Sequence, residues 1–327
     1  MYIPRREPWR LIRTYNNGTK FETNGGDPPA SIFADRNVIM ISESRTHFSR
    51  RSVLQAGAAL ATGPVMAHAE VPNRTVKNGR LKQSICRWCF RGIALEELAE
   101  AAASMGMAGL DLLMPEEFPV LKKHQLVCTM TKSHALVRGL NDPANHETCL
   151  ESINKGIEAN AVAGFRNVIC FSGNRNGLDD RTGMKNCLTA LKRIVPVAEK
   201  AGVILNMELL NSRVNHPDYM CDGSEWGIEL VKQVASDNFK LLYDIYHMQI
   251  MEGDIIRSIQ KNHEYFGHYH TAGNPGRHEL DDSQELNYPA ICRAIVDSGY
   301  DGYLGQEFLP RQDPLTSLAE AVELCDV

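Results

Sequence analysis

The sequence predicts an α/β fold, a (β/α)8 TIM barrel, from three observations. From residue 80 to the end, short apolar runs rich in β-formers alternate with stretches of helical period. The repeat occurs eight times in about 250 residues, the count and length expected of such a barrel. No G-x-G-x-x-G turn follows the first run, which sets aside a doubly wound open sheet, the next architecture in line.

Taken in order, residues 83–89 read as the first strand and 94–105 as a helix with apolar residues at helical spacing. Residues 109–113 and 126–131 are the second and third strands, with a short helix between them. A long helix over 146–163 leads to the fourth strand, 167–172. A helix over 181–201 precedes the fifth, 203–209, and one over 224–235 precedes the sixth. That sixth strand opens the stretch LLYDIYHMQIMEGD, residues 241–254, as a run of β-formers interrupted by Asp244. Residues 254–262 are helical, 265–271 strand, 288–298 helical, 303–308 strand and 315–325 helical.

The part ahead of residue 70 has a different character. Residues 1–39 are rich in Arg, Asn, Gly and Pro without a sustained period, and read as a disordered or untranslated leader, with Met40 as the start. Residues 40–69 resemble a twin-arginine export signal. A basic region ends in Ser49-Arg50-Arg51, an apolar run broken by Gly63-Pro64 follows, and Ala67-His68-Ala69 offers a small-x-small cleavage site. The run is too short and too Gly-rich for a stable membrane span. The expected place of work is the periplasm, or the cytoplasm if the signal is not used. Residues 70–327 form the barrel domain.

Composition is that of a globular protein with a full core: 327 residues, 43% hydrophobic and 23% charged. Beyond residue 69 the chain carries 26 basic against 35 acidic side chains, a net charge of −9. A binder of phosphate backbones would present a basic face, so no nucleic-acid partner is expected. Nine cysteines are scattered through predicted strands and helices, and Cys86-Arg87-Trp88-Cys89 has no second pair to complete a zinc site.

In a barrel of this type chemistry sits at the C-terminal ends of the strands. Those ends on the last four strands hold Glu208, Asp244, His270 and Glu307, spaced by 36, 26 and 37 residues, one βα unit each. A carboxylate inside an apolar strand is costly unless paired, hydrogen-bonded or bound to a metal. Three carboxylates and one imidazole at similar depth suit a hard or borderline divalent ion: Mn²⁺, Mg²⁺ or Co²⁺. Around them His247, Arg277, His278 and Asn211 are candidates for holding substrate, with Glu279 as a partner orienting Arg277 or His278. Such a metal flanked by Glu208 and Glu307 fits proton transfer next to a carbonyl through a cis-enediolate, with one glutamate removing the proton. The same ligands also serve hydrolysis by an activated water.

The strings LLYDIYHMQIMEGDIIRSIQKN, GNPGRHELDDSQELNYPAICRAI and GYDGYLGQEFLP resemble the hydroxypyruvate isomerase family, among the xylose isomerase-like barrels. The similarity covers residues 80–327 and is strongest from Glu208 onward. It implies a metal-dependent isomerase with Glu208 and Glu307 as the catalytic pair and Glu208, Asp244, His270 and Glu307 as the ligands. It also implies a small keto or hydroxy sugar or hydroxy acid as substrate, and self-association into a homo-oligomer. At position 270 the family typically carries Gln; His there resembles the ketose 3-epimerases. The alternatives are a ketose 3-epimerase, a metal-dependent lyase or hydrolase of an oxidised sugar, and a non-catalytic carbohydrate-binding barrel.

Overall fold

The computed structural model describes residues 74–327; the leader over 1–39 and the export signal over 40–69 lie outside the described residues. Eight parallel strands close into a barrel in sequence order, the last pairing with the first. Its first half runs β1 (Lys82–Cys86), α1 (Leu95–Met105), β2 (Gly109–Leu113), α2 (Phe118–Lys123), β3 (Val127–Thr131), α3 (His146–Ala163), β4 (Asn167–Cys170) and α4 (Asp180–Ala201). The second half runs β5 (Ile204–Glu208), α5 (Ser224–Val234), β6 (Phe239–Asp244), α6 (Ile245–Met251) and α7 (Ile255–Asn262). It closes with β7 (Phe266–Thr271), α8 (Tyr288–Asp297), β8 (Tyr303–Gln306) and α9 (Pro314–Cys325).

The expected alternation is present, with two local differences. The first strand stops at Cys86, and Arg87–Phe90 turn into a single 3₁₀ helix that carries Trp88 and Cys89. The short helix expected after the second strand is present as α2. The sixth strand does not extend to Ile245: α6 begins there, because Asp244 Oδ1 accepts the His247 amide at 2.9 Å and caps it. All nine cysteines are free.

Packing separates two apolar regions. The larger lies between barrel and helices, where Leu98, Ile153, Leu191, Leu230, Ile291 and Leu318 bury their helices' apolar stripes. The smaller lines one side of the barrel interior with Cys86, Leu112, Met130, Ile169 and Leu242. Leu112 joins it through an irregularity: pairing of β2 with β3 shifts register on both sides of Asp111, and Leu112 has φ of +59°. Left-handed backbone is costly for a branched side chain. Here it accompanies the burial of both Asp111 and Leu112. Register then aligns Asp244 of β6 with His270 of β7, and His270 with Gly305 of β8. Among the described residues no helix is long and apolar enough to cross a membrane.

Candidate functional site

The four residues picked out at the strand ends come together. Glu208 ends β5, Asp244 ends β6, His270 sits in β7 and Glu307 follows β8 by one position. One donor atom from each lies within 4.8 Å of all the others, and all four side chains are buried. A divalent ion bound at about 2.1 Å would set its ligand atoms roughly 3 to 4 Å apart, so the cluster has the dimensions of a coordination shell. His270 Nδ1 adds a second indication. Among the described residues it is buried without a hydrogen bond, although it faces Glu307 Oε2 at 2.7 Å and Glu208 Oε1 at 3.5 Å. A lone nitrogen aimed at two carboxylates suits a metal ligand, so the residues present fit such an ion.

Arg277 reaches the same cluster. Its backbone is left-handed, with φ of +62°, and its guanidinium lies between the rings of Trp88 and Tyr246 at 5.4 and 5.2 Å. Nη2 donates to Glu307 Oε2 at 2.6 Å and to Asp244 Oδ2 at 3.2 Å, while Nη1 meets His247 Nε2 at 2.6 Å. A guanidinium cannot give up its proton at ordinary pH, so it supplies a fixed positive charge to three crowded carboxylates.

Environment makes the two glutamates unlike. Burial raises the Glu208 pKa, and the neighbouring Glu307 adds to this against the pull of His270. Burial also works against charge on Glu307, but Arg277 and His270 beside it prevail and hold it well below the usual carboxylate range. Trp88 Nε1 donates to Glu307 Oε1 at 2.6 Å, so both its oxygens are occupied. Burial lifts Asp244 to about 7, with Arg277 opposing and Glu307 assisting. Burial disfavours a charged His270 ring, yet Cys86, Glu307 and Asp111 around it reverse this and push its pKa up. His247 stays neutral because burial and then Arg277 lower its pKa.

The supporting residues divide. His247 is fully buried behind Arg277, with Asn211 Nδ2 at 2.5 Å from its other ring nitrogen. Asn211 also accepts the Val214 and Asn215 amides, so it organises the loop after β5. His278 Nδ1 meets the Leu309 carbonyl at 2.9 Å and ties the loop after β7 to that after β8. Glu279 does not orient Arg277 or His278: its Oε1 accepts the Arg311 and Gln312 amides and the Ser317 hydroxyl ahead of and within α9. That is a correction. Its position between glycine loop and last helix makes it a cap for unpaired amides.

Sequence reasoning missed Trp88, Asp111 and His268. Asp111 Oδ2 receives His268 Nε2 at 2.6 Å and His270 Nε2 at 2.9 Å. Its signal was present, a carboxylate in the apolar run GLDLL, the same anomaly that marked Asp244.

Comparison with known proteins agrees with this architecture. A family model described as the xylose isomerase-like TIM barrel matches residues 99–326. A 2-oxo-tetronate isomerase of Cupriavidus necator is 29% identical over 226 residues, 64% of this chain and 85% of that protein. The hydroxypyruvate isomerase of Escherichia coli is 24% identical over 225 residues, 65% of this chain and 86% of that protein. With a human relative named "Putative hydroxypyruvate isomerase", identity is 31% over 132 residues, and the match spans 48% of that protein, about half its length. Among solved structures, a family 2 AP endonuclease from Brucella melitensis superposes with a TM-score of 0.67 at 24% identity, covering 73% of this chain and 98% of that one. An E. coli 3-keto-D-glucoside 4-epimerase superposes at 0.64 with 19% identity, covering 74% and 97%. A closed eight-stranded parallel barrel and a family match over most of its length lead to one statement: this chain belongs to the xylose isomerase-like TIM barrels.

Proposed function

We propose that this protein is a divalent-metal-dependent isomerase or epimerase, acting on a small keto or hydroxy sugar or hydroxy acid through a cis-enediolate. Isomerisation of hydroxypyruvate to tartronate semialdehyde is the reference reaction. The observation that carries the reading is the pair of buried glutamates, Glu208 and Glu307, set on one donor cluster but with opposite pKa displacements. Paired titratable groups pushed apart by their surroundings divide proton-transfer roles between them.

Glu208, Asp244, His270 and Glu307 would hold the ion, Mn²⁺, Mg²⁺ or Co²⁺. Bound there, it supplies Lewis-acid polarisation of a carbonyl oxygen and so acidifies the adjacent C–H. Glu208 takes that proton: its raised affinity for a proton and its lack of a fixed partner within 3 Å suit a base that must be protonated in passing. Glu307, held ionised by Arg277 and hydrogen-bonded to Trp88, opposes it from β8 and stabilises charge rather than storing the first proton. Arg277 faces developing oxyanion charge with an amphipathic wall of Trp88 and Tyr246 around it. His247 and Asn211 hold Arg277 in that pose, and His278 fixes the loop at the substrate entrance.

The aligned bacterial relatives are named hydroxypyruvate isomerase and 2-oxo-tetronate isomerase, which supports the isomerase class and small oxo acids as the first substrates to try. Residues 40–69 further suggest a periplasmic enzyme. The test is to strip the protein with chelator and supply hydroxypyruvate, 2-oxo-tetronate and a panel of ketoses. Products are followed by NMR with and without Mn²⁺. Metal-restored conversion of one of these to its positional or stereochemical isomer is the expected result. Metal-restored cleavage without isomer would replace the reading with lyase or hydrolase chemistry.

A further inference from the structure

One buried acid has no part in the proton transfer. Asp111 is completely buried in β2, and both its oxygens are occupied. Oδ1 accepts the Ser84 hydroxyl at 2.8 Å; Oδ2 faces His268 Nε2 at 2.6 Å, His270 Nε2 at 2.9 Å and Cys86 Sγ at 3.9 Å. A buried carboxylate ringed in this way is expensive to assemble, and among the described residues it meets the site above through His270. Resting on the metal reading given above, we infer that Asp111 is a positioning residue that turns His270 into a ligand through Nδ1.

Asp111 Oδ1 accepts the Ser84 hydroxyl, and Oδ2 stands within hydrogen-bond distance of two imidazole nitrogens, where a carboxylate serves as the acceptor. His270 Nε2 must therefore carry the hydrogen. In the neutral ring Nδ1 is then the bare lone pair, and Nδ1 is the atom that lacks a hydrogen bond and faces Glu208 and Glu307. The other tautomer would place an N–H among the ligands and a flipped ring a C–H, and either would leave Asp111 short of a donor. The packing also resists rotation. A Cβ on Gly305 would lie 2.7 Å from Asp111 Oδ2 and 2.8 Å from His270 Cδ2, so acid and ring fill the space that β8 leaves vacant. Cys86, Asp111 and His270 do bring donor atoms within 4.8 Å of one another. Asp111 Oδ2 is already engaged by two imidazole N–H groups, so this lower cluster serves as a support and not as a second ion site. A carboxylate behind the ring also strengthens the ring as a donor, and loss of such a partner costs about 10- to 100-fold in metal affinity.

The experiment is a double-mutant cycle on the full chain: wild type, Asp111→Asn, His270→Gln and the double variant, each titrated with Mn²⁺ by calorimetry. Asp111→Asn should weaken binding by about 10- to 100-fold, and should add little in the His270→Gln background, whose amide oxygen needs no proton behind it. Unchanged affinity in Asp111→Asn, or equal weakening in both backgrounds, would overturn the inference while leaving the metal site standing. Absence of Mn²⁺ binding by wild type would remove the metal reading and the inference with it. A second measurement needs no substitution at position 111. In the Mg²⁺-loaded wild type, long-range ¹H–¹⁵N correlation should show His270 with hydrogen on Nε2 and none on Nδ1. The opposite tautomer would overturn the inference.

Discussion

Asp244 carries two tasks with one carboxylate. Oδ1 caps α6 through the His247 amide, and Oδ2 meets Arg277 at 3.2 Å among the cluster's donors. Burial lifts its pKa to about 7, whereas an unfolded chain would release that proton near 3.9. In metal-free protein the protonated group therefore favours the fold below the unfolded value, and that contribution is lost as pH rises through about 7. A metal must displace the same proton, and also one from His270, whose pKa is raised as well. Mn²⁺ affinity should accordingly climb with pH, by about tenfold or more between pH 6 and pH 7. Titrations at pH 6, 7 and 8 in constant salt check this; a flat profile would contradict the proposed ligand set.

At the scale of elements, the site depends on what β8 omits. Asp244, His270 and Gly305 stand side by side across β6, β7 and β8, and the His270 ring lies where a side chain at 305 would project. Gly305→Ala should destabilise the protein by about 1–3 kcal/mol through overpacking, and weaken Mn²⁺ binding by displacing the ring. Urea unfolding of the metal-free variant, paired with metal titration, measures both; wild-type values in both would refute the packing argument. Strands such as β2, β4 and β6 were legible because strands buried on both faces read as runs dominated by apolar residues. The break after β6 was not. Ile245 is a good strand residue, and helix starts there because the Asp244 side chain caps it, a preference set by one hydrogen bond rather than by period. The kink in β2 was equally hidden, since nothing in GLDLL announces left-handed backbone at Leu112.

At the scale of the molecule, closure of the barrel turns four separate strand ends into one centre. The spacing of Glu208, Asp244, His270 and Glu307 by single βα units made them readable as a set, because each unit returns the chain to the same face. Trp88 and Asp111 come from the other end of the sequence and reach the site only because β1 pairs with β8. No local spacing encodes such a contact. Arg277 was legible as a candidate, but its part as counter-ion to Asp244 and Glu307 required the left-handed turn that aims it inward.

The central claim is that Glu208 moves a proton on carbon beside a carbonyl, opposite Glu307 and upon a metal. Its most direct test is solvent deuterium exchange: protein reloaded with Mn²⁺ is incubated in D₂O with hydroxypyruvate, 2-oxo-tetronate or a ketose, and carbon-bound deuterium is followed by NMR. Metal-dependent incorporation is predicted, slowed by about 10²- to 10⁴-fold in Glu208→Gln under conditions where that variant still holds Mn²⁺. Incorporation at the wild-type rate in metal-loaded Glu208→Gln, or none from any of these compounds with the wild-type site filled, would contradict it.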